Sequence, residues 1–274
     1  MKNKRVPLSR RQVLGLFAAS FLGVRQSTEP VFMGLDHIEF YVSNAEKSRD
    51  FFLRVFGSGA NTLRNRGAKR YLKLGATYLA FEPPRGNASP GQVVHFSLAI
   101  QKLEMPKLHA FLEQRGVAYQ DYPSGRDTGV NDADGIRTQL SPADGWSLLN
   151  PATFPAEEIA LPDDPIFRPL SLEHVLLNVS DVEQSAAFYQ KFLGQPSRSD
   201  NAVWFKTGTS RVGLIRGAAG QRPGVSRFSV TASPFDNGGV VRRLQQLGAQ
   251  VETSATGVVA FRDLDGLLIQ VVGS

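Results

Sequence analysis

Leu35-Asp36-His37-Ile38-Glu39-Phe40-Tyr41-Val42-Ser43 returns 137 positions later as Leu172-Glu173-His174-Val175-Leu176-Leu177-Asn178-Val179-Ser180. The match runs on without a gap through Ser48 and Ser185, Phe51 and Phe188, Phe52 and Tyr189, and Gly57 and Gly194. The chain therefore carries an internal duplication. Each copy alternates in the manner of a half-buried strand. Ile38, Phe40 and Val42 share one face; His37, Glu39 and Tyr41 share the other. An apolar face explains itself as core, whereas a face bearing histidine and carboxylate needs a partner.

Outward from the first copy, Ser43 or Asn44 caps a predicted helix over Ala45–Phe56 that Gly57 stops. Short strands follow at Arg70–Leu74 and Thr77–Phe81, then a Pro- and Gly-rich turn from Pro83 to Gly91. Val93–Ile100 alternates again, with Val94, Phe96, Leu98 and Ile100 on one face and His95, Ser97 and Ala99 on the other. A helix over Leu103–Arg115 and two strands, the last at Ile136–Ser141 after Asp132-Ala133-Asp134-Gly135, close the unit. Five prolines between residues 151 and 169 predict a semi-rigid linker. The pattern restarts at Ser171: helix Val182–Phe192, strands Ala202–Lys206 and Arg211–Ile215, strand Arg227–Thr231, helix Gly238–Leu247, strands Val258–Arg262 and Leu267–Val272. Each quarter thus reads strand, helix, strand, strand, strand. The second and fourth quarters also match: His95 with Arg227, Gly116 with Gly248, Asp134-Gly135 with Asp265-Gly266, Gln139 with Gln270.

Composition is that of a globular chain, 42% hydrophobic and 20% charged over 274 residues. The net charge of +6 comes from six basic residues before residue 27; without them 25 basic residues face 25 acidic ones. The neutral body has no electrostatic footprint for nucleic acid. The basic head resembles an export signal: Ser9-Arg10-Arg11-Gln12-Val13-Leu14 is similar to the twin-arginine motif, and the apolar run Val13–Val24 follows it. Twelve residues are short of the ~20 that span a bilayer, so a stable membrane anchor is not expected. The expected location is periplasmic or otherwise exported. The absence of cysteine excludes disulfides, thiolate chemistry and a lipoprotein anchor.

The βαβββ unit, with histidine early in its first strand and Asp-x-Asp-Gly before its last, resembles the vicinal-oxygen-chelate superfamily. That group includes glyoxalase I, type I extradiol dioxygenases, fosfomycin-resistance enzymes and bleomycin-binding proteins. The resemblance implies an α+β fold of four βαβββ modules paired into two cup-shaped mixed sheets. The first domain would span residues 34–150 and the second 170–273, joined by the linker at 151–169, with residues 1–27 as the export signal. It also implies metal ligands on the first and last strands, facing the cup.

Carried over residue by residue, the first cup offers His37, His95 and Gln139, the last standing where the family often has Glu. The fourth place falls on Ala80, with Glu82 two residues on along the same face. The second cup offers His174, Arg227, Gln270 and Gly213, and an arginine cannot ligate a metal. A divalent metal (Fe2+, Mn2+, Zn2+ or Ni2+) at His37, His95, Gln139 and Glu82 is one expectation; the other is no metal, with the first cup closed by hydrogen bonds such as Glu39 with Arg137. As an enzyme, the chain would act on a small oxygenated substrate as a lyase, isomerase or dioxygenase. Arg137 would hold an anionic group, Tyr41 would donate a hydrogen bond, and Glu39 would stand by as carboxylate. As a metal-free protein of the bleomycin-resistance type it would sequester a small molecule. Tyr78 and Phe81 are candidates to line the first cup, although strand aromatics more often build core. His109 reads as a surface residue. A monomer or homodimer is expected.

Overall fold

The computed structural model describes residues 29–57, 63–157, 164–199 and 201–274. The export-signal reading at residues 1–27 lies outside them. The first half runs β1 (Phe32–Tyr41), α1 (Ala45–Phe56), β2 (Leu63–Arg66), β3 (Lys69–Leu74), β4 (Thr77–Glu82), β5 (Val93–Ile100), α2 (Met105–Gln114), β6 (Gln120–Asp121), β7 (Thr128–Asn131), β8 (Arg137–Pro142) and the one-turn α3 (Gly145–Leu148). The second runs β9 (Pro169–Val179), α4 (Val182–Leu193), β10 (Ser197–Ser199), β11 (Ala202–Thr207), β12 (Ser210–Arg216), β13 (Gly224–Ala232), α5 (Asn237–Gln246), β14 (Gln250–Ala255), β15 (Val258–Arg262) and β16 (Leu268–Gly273). Four βαβββ modules are therefore present, two per sheet. The strand orders are β2-β3-β4-β1-β5-β8-β7-β6 and β10-β11-β12-β9-β13-β16-β15-β14. In each sheet the leading strands of the two modules pair antiparallel at the centre, and each is flanked by a parallel neighbour from its own module.

Local chemistry explains the ends of the helices. Asn44 Oδ1 accepts from Lys47 N at 2.9 Å, and its repeat counterpart Asp181 accepts from Glu183 N and Gln184 N. Gly57 does end α1, but not through the left-handed conformation: its φ is −66°. A side chain there would put Cβ 2.4 Å from Leu53 O, so the glycine is required for room.

The two halves share one continuous core rather than two. Phe40 of β1 meets Phe228 of β13 at 6.3 Å between ring centroids, so the sheets face each other through their central strands. Phe51 of α1 meets Phe261 of β15 at 6.4 Å. Phe81, a candidate for the cup, belongs here: it stacks on Phe40 at 5.8 Å and is fully buried. Its parity in β4 puts it opposite to Tyr78 and Ala80. Each such phenylalanine withdrawn from water contributes roughly 1.5–3 kcal/mol.

Pseudo-symmetric clamps bind the halves. The β3–β4 turn docks on the start of β9, with Ala76 N donating to Leu170 O at 3.0 Å and Leu172 N to Thr77 Oγ1 at 3.0 Å. The β11–β12 turn docks on the start of β1 in the same way, through Thr209 N to Met33 O at 3.1 Å and Leu35 N to Ser210 Oγ at 3.1 Å. The Asp-x-Asp-Gly turns also have two separate jobs. Asp132 and Asp263 close their own turns, each Oδ1 accepting two backbone N–H groups. Asp134 and Asp265 reach across: Asp134 takes Ser180 N at 2.8 Å, and Asp265 takes Ser43 N at 3.0 Å.

Burial raises the Asp263 carboxyl to about 6, against backbone N–H groups that favour its charge. A raised carboxyl favours the protonated folded state. Its stability contribution is present below the ordinary value near 4 and is lost as pH rises through about 6. Asp263→Asn keeps the accepting oxygen and removes the buried charge. Denaturation of the two proteins at pH 5 and pH 8 should show the variant gaining on the order of 2 kcal/mol relative to wild type between those pH values. A parallel pH dependence in both would remove Asp263 as the cause.

The Pro-rich segment is not a bare linker. Asn65 N donates to Pro155 O at 3.1 Å, and Glu157 pairs with Arg49 and Arg70. Ile166 and Phe167 are buried in the shared core and bonded to the last turn of α1. Residues 158–163 lie outside the described set.

Candidate functional site

The concave face of the first sheet holds a cavity of about 520 Å³. His37 of β1 and His95 of β5 stand at its floor, both buried, because parity gives Ile38, Phe40, Phe96 and Leu98 to the core. Their Nε2 atoms are 3.0 Å apart and the rings meet edge to face. Gln139 of β8 lines the same cavity as His95, and Glu39 lies in register with His95 across the β1–β5 pair. Burial, reinforced by the charges of His37, Lys69 and Arg137, pushes His95 well below the ordinary histidine range, so its imidazole is neutral at pH 7.

Asp36 completes the arrangement. Its Oδ2 accepts from His37 Nδ1 at 2.7 Å, and its Oδ1 accepts from Gly145 N at 3.0 Å at the start of α3. Strict alternation would place Asp36 among the core residues. A register shift between Leu35 and His37 releases it to the site side. Gly145 is required for the approach, since a Cβ there would fall 2.3 Å from Asp36 Oδ2. Tyr78 stacks on His37 at 4.5 Å and fixes its ring plane. With Nδ1–H committed to Asp36, the Nε2 of His37 is aimed at that of His95.

The wall is aromatic and the rim cationic. Tyr71, Tyr78, Trp146 and Phe154 form a second, small cluster beside Ala80. The last two come from α3 and the Pro-rich segment, so the stretch between the halves closes one side of the cavity. Arg66, Lys69 and Arg126 reach the lining. Lys69 Nζ hydrogen-bonds the Glu39 carboxylate, which lies beside the short side chain of Ala80 on β4.

The sequence-predicted residues divide. His37, His95, Gln139 and Glu39 come together in the cavity. Glu82 shares their sheet face, but its carboxylate goes to Arg85 at 2.7 Å and lines a neighbouring depression. Arg137 lies in another depression beside Tyr122 and Asn131, so Glu39 pairs with Lys69 and not with Arg137. Tyr41 sits at the end of β1 outside the lining, its hydroxyl raised by burial and by Glu82 and Glu39. His109 stacks on Tyr119 and pairs with Asp121 at 2.9 Å, away from the cavity. Nothing in the sequence pattern marks Asp36, Lys69, Trp146 or Phe154 as site residues.

Among the described residues no three His, Cys, Asp or Glu side chains converge at coordinating distance. Glu39 Oε2 is 3.9 Å from His95 Nε2 and engaged with Lys69. The donor set still suits a divalent ion. Two imidazole nitrogens 3.0 Å apart are spaced as adjacent ligands with bonds of about 2.1 Å. Two bare lone pairs at that distance repel, so a proton or a cation must lie between them. Glu39 would add a carboxylate on leaving Lys69, and two histidines with one carboxylate suit a non-haem divalent metal.

Residues 171–271 match the family model of the Glyoxalase/Bleomycin resistance protein/Dioxygenase superfamily. No curated protein sequence matches the chain. Among solved structures, the 2,3-dioxygenase LapB from Pseudomonas sp. KL28 is 14% identical and superposes with a TM-score of 0.67 over 90% of this chain and 94% of its own. The Mn(II)-bound glyoxalase from Novosphingobium aromaticivorans is 14% identical, with a TM-score of 0.62 over 89% of this chain and 83% of its own. The homoprotocatechuate 2,3-dioxygenase from Brevibacterium fuscum, in complex with 3,4-dihydroxyphenylacetate, is 13% identical, with a TM-score of 0.61 over 90% and 82%. At these identities the likeness is one of fold. Among the described residues no helix is long and apolar enough to cross a membrane.

Proposed function

We infer, for a chain that carries a glyoxalase/bleomycin-resistance/dioxygenase domain and the two-sheet fold of that superfamily, that the first cup is a divalent-metal site acting on a small oxygenated substrate. The reaction would be of lyase, isomerase or dioxygenase type. One observation carries this: two buried imidazole nitrogens aimed at each other at 3.0 Å, one of them oriented by a carboxylate. The structural neighbours, among them a Mn(II)-bound glyoxalase and an extradiol ring-cleaving dioxygenase, support it.

The residues divide the work. His37, His95 and Glu39 would hold the metal, with Gln139 as the remaining protein donor. Bound there, a divalent ion supplies Lewis-acid polarisation of substrate oxygens. Asp36 keeps the His37 proton on Nδ1 and so leaves Nε2 free to ligate. Burial keeps His95 neutral and equally available. Tyr71, Tyr78 and Phe154 offer a flat apolar wall, and Arg66, Lys69 and Arg126 offer cations to an anionic end of the substrate. Lys69 also covers the Glu39 charge while no cation is present.

The Lys69–Glu39 pair favours a second reading. Left in place, it closes the site with its own cation, and the cup becomes a metal-free binding pocket. Metal content and melting temperature with and without chelator decide between them. Stoichiometric metal and a melting temperature lowered by chelator support the metal site. Metal-free protein whose stability ignores chelator supports the binder.

Asp36→Asn tests the orienting role. The variant should lose about 10–100-fold in metal affinity with the fold intact. Unchanged affinity would separate Asp36 from the site. We also propose export through Ser9-Arg10-Arg11-Gln12-Val13-Leu14. The exported protein should then lack residues 1 to about 27, and a mature chain starting at Met1 would contradict it.

A further inference from the structure

The second cup is the same scaffold with its internal partners removed. His174 stands where His37 stands, Arg227 replaces His95, Ser229 matches Ser97 and Gln270 matches Gln139. In the first cup His37 Nε2 meets His95 Nε2, and Ser97 Oγ donates to Ser141 Oγ at 2.9 Å. In the second, Val272 replaces Ser141 and Arg227 replaces His95. As a result His174 Nε2, Ser229 Oγ, Gln270 Oε1 and the Nε of Arg227 are all buried without a hydrogen-bond partner.

These atoms belong to one spot. His174 pairs in register with Ser229, and Ser229 with Gln270, so the three form one row across β9, β13 and β16. Arg227 is two residues before Ser229, on the same face of β13. Ser229 is fully buried and His174 is 4% exposed. Leaving one such group unmet costs roughly 1–3 kcal/mol, and the three on β13 and β16, Arg227, Ser229 and Gln270, point to an occupant.

Charge names its class. Glu173 is already spent: it holds His174 Nδ1 and takes Arg211 at 2.6 and 3.1 Å. Although burial opposes its charge, His174 and Arg211 hold its carboxyl at about 2. Arg227 keeps its positive charge, drawn towards Glu173 but without an ion pair among the described residues, and its Nε is buried without a partner. Arg227 Nε–H and Ser229 Oγ–H are donors. The Gln270 amide becomes one on rotation about its last bond. Over Gly213 the wall is apolar: Trp204 and Leu176 close so tightly that a Cβ there would sit 2.5 Å from Trp204 Cζ3 and 2.8 Å from Leu176 Cδ1. Trp204 meets His174 edge to face at 5.2 Å.

We propose that the second cup binds a small carboxylate, its two oxygens on Arg227, Ser229 and Gln270 and its apolar body against Trp204 and Leu176. One unpaired guanidinium in a mostly buried site matches a monoanion, and burying a dianion there would leave charge uncompensated. Arg227 is only partly covered, which leaves the site open on that side. The assignment is independent of the first cup.

The chain has two tryptophans, and Trp146 belongs to the first cup. Trp146→Phe therefore leaves Trp204 as the only indole, and its emission reports the second cup. Acetate, cyclohexanecarboxylate and inorganic phosphate serve as probes. Saturable changes are expected with the carboxylates, tighter for cyclohexanecarboxylate, and they should survive a further His37→Ala/His95→Ala change. Arg227→Leu should weaken binding at least tenfold. Ser229→Ala, a smaller change if Arg227→Leu does not fold, should weaken it measurably. Emission that does not saturate, affinity untouched by both variants, or loss of binding with the first-cup histidines would overturn the site. Tighter binding of phosphate than of either carboxylate would overturn its class.

Discussion

A His37→Ala chain is expected to purify with metal at background, while His174→Ala retains the wild-type content. Replacing His37 deletes one of two nitrogens 3.0 Å apart and strands Asp36, whose carboxylate then faces no imidazole. Even loss of an orienting partner costs about 10–100-fold in metal affinity, so loss of the ligand itself should exceed that. His174 has the same place in the repeat and the same adjacent carboxylate, but no second imidazole: Arg227 stands across the strand pair and Trp204 meets its ring. Metal analysis of both variants, with circular dichroism to confirm folding, is the measurement. Equal metal in wild type and His37→Ala would end the first-cup reading. Loss in His174→Ala alone would move the metal to the other cup.

The repeat, the four modules and the facing of the two cups were legible because they rest on parity. Every residue from Ile38 to Val42 obeys the alternation, and a one-residue slip would have sent Glu39 into the shared core. Asp36 was illegible for the complementary reason. A register shift beside it breaks the alternation that the pattern relies on. Lys69, Trp146 and Phe154 escaped because nothing local ties them to the site. Lys69 is one of several basic residues around the β2–β3 turn, and the register of that hairpin selects it. Trp146 lies past the last predicted strand of the first domain and Phe154 in the Pro-rich stretch that reads as linker, and only Tyr71 and Tyr78 beneath them tie them to the site. Arg137 and Glu82 show the converse. Each has the face that parity assigned, and each is diverted at a strand end by nearer partners, Asn131 and Arg85.

Gly75→Ala is expected to be the most damaging single methyl in the fold. Gly75 turns β3 into β4 at φ +56°, where a side chain is strained. Its added Cβ would lie 1.9 Å from Leu170 O, a backbone atom with no rotamer by which to move away. Leu170 opens β9, and the same turn supplies the Ala76 N–H to Leu170 O and the Thr77 hydroxyl to Leu172 N. Relief therefore requires the turn to lift off the other half, breaking both bonds and loosening the core that runs through Phe40 and Phe228. The loss in unfolding free energy should be on the order of 4 kcal/mol, in the range that marks backbone strain with a broken buried network. Gly67→Ala is the control. It shares the left-handed conformation, at φ +61°, but a Cβ there meets nothing within 4 Å. Its cost should stay near 1 kcal/mol, the strain alone. Urea denaturation of both variants separates the two contributions. If Gly75→Ala proved no worse than Gly67→Ala, the docking of the β3–β4 turn on β9 would contribute little, and the halves would be held together by their shared core and the remaining clamps.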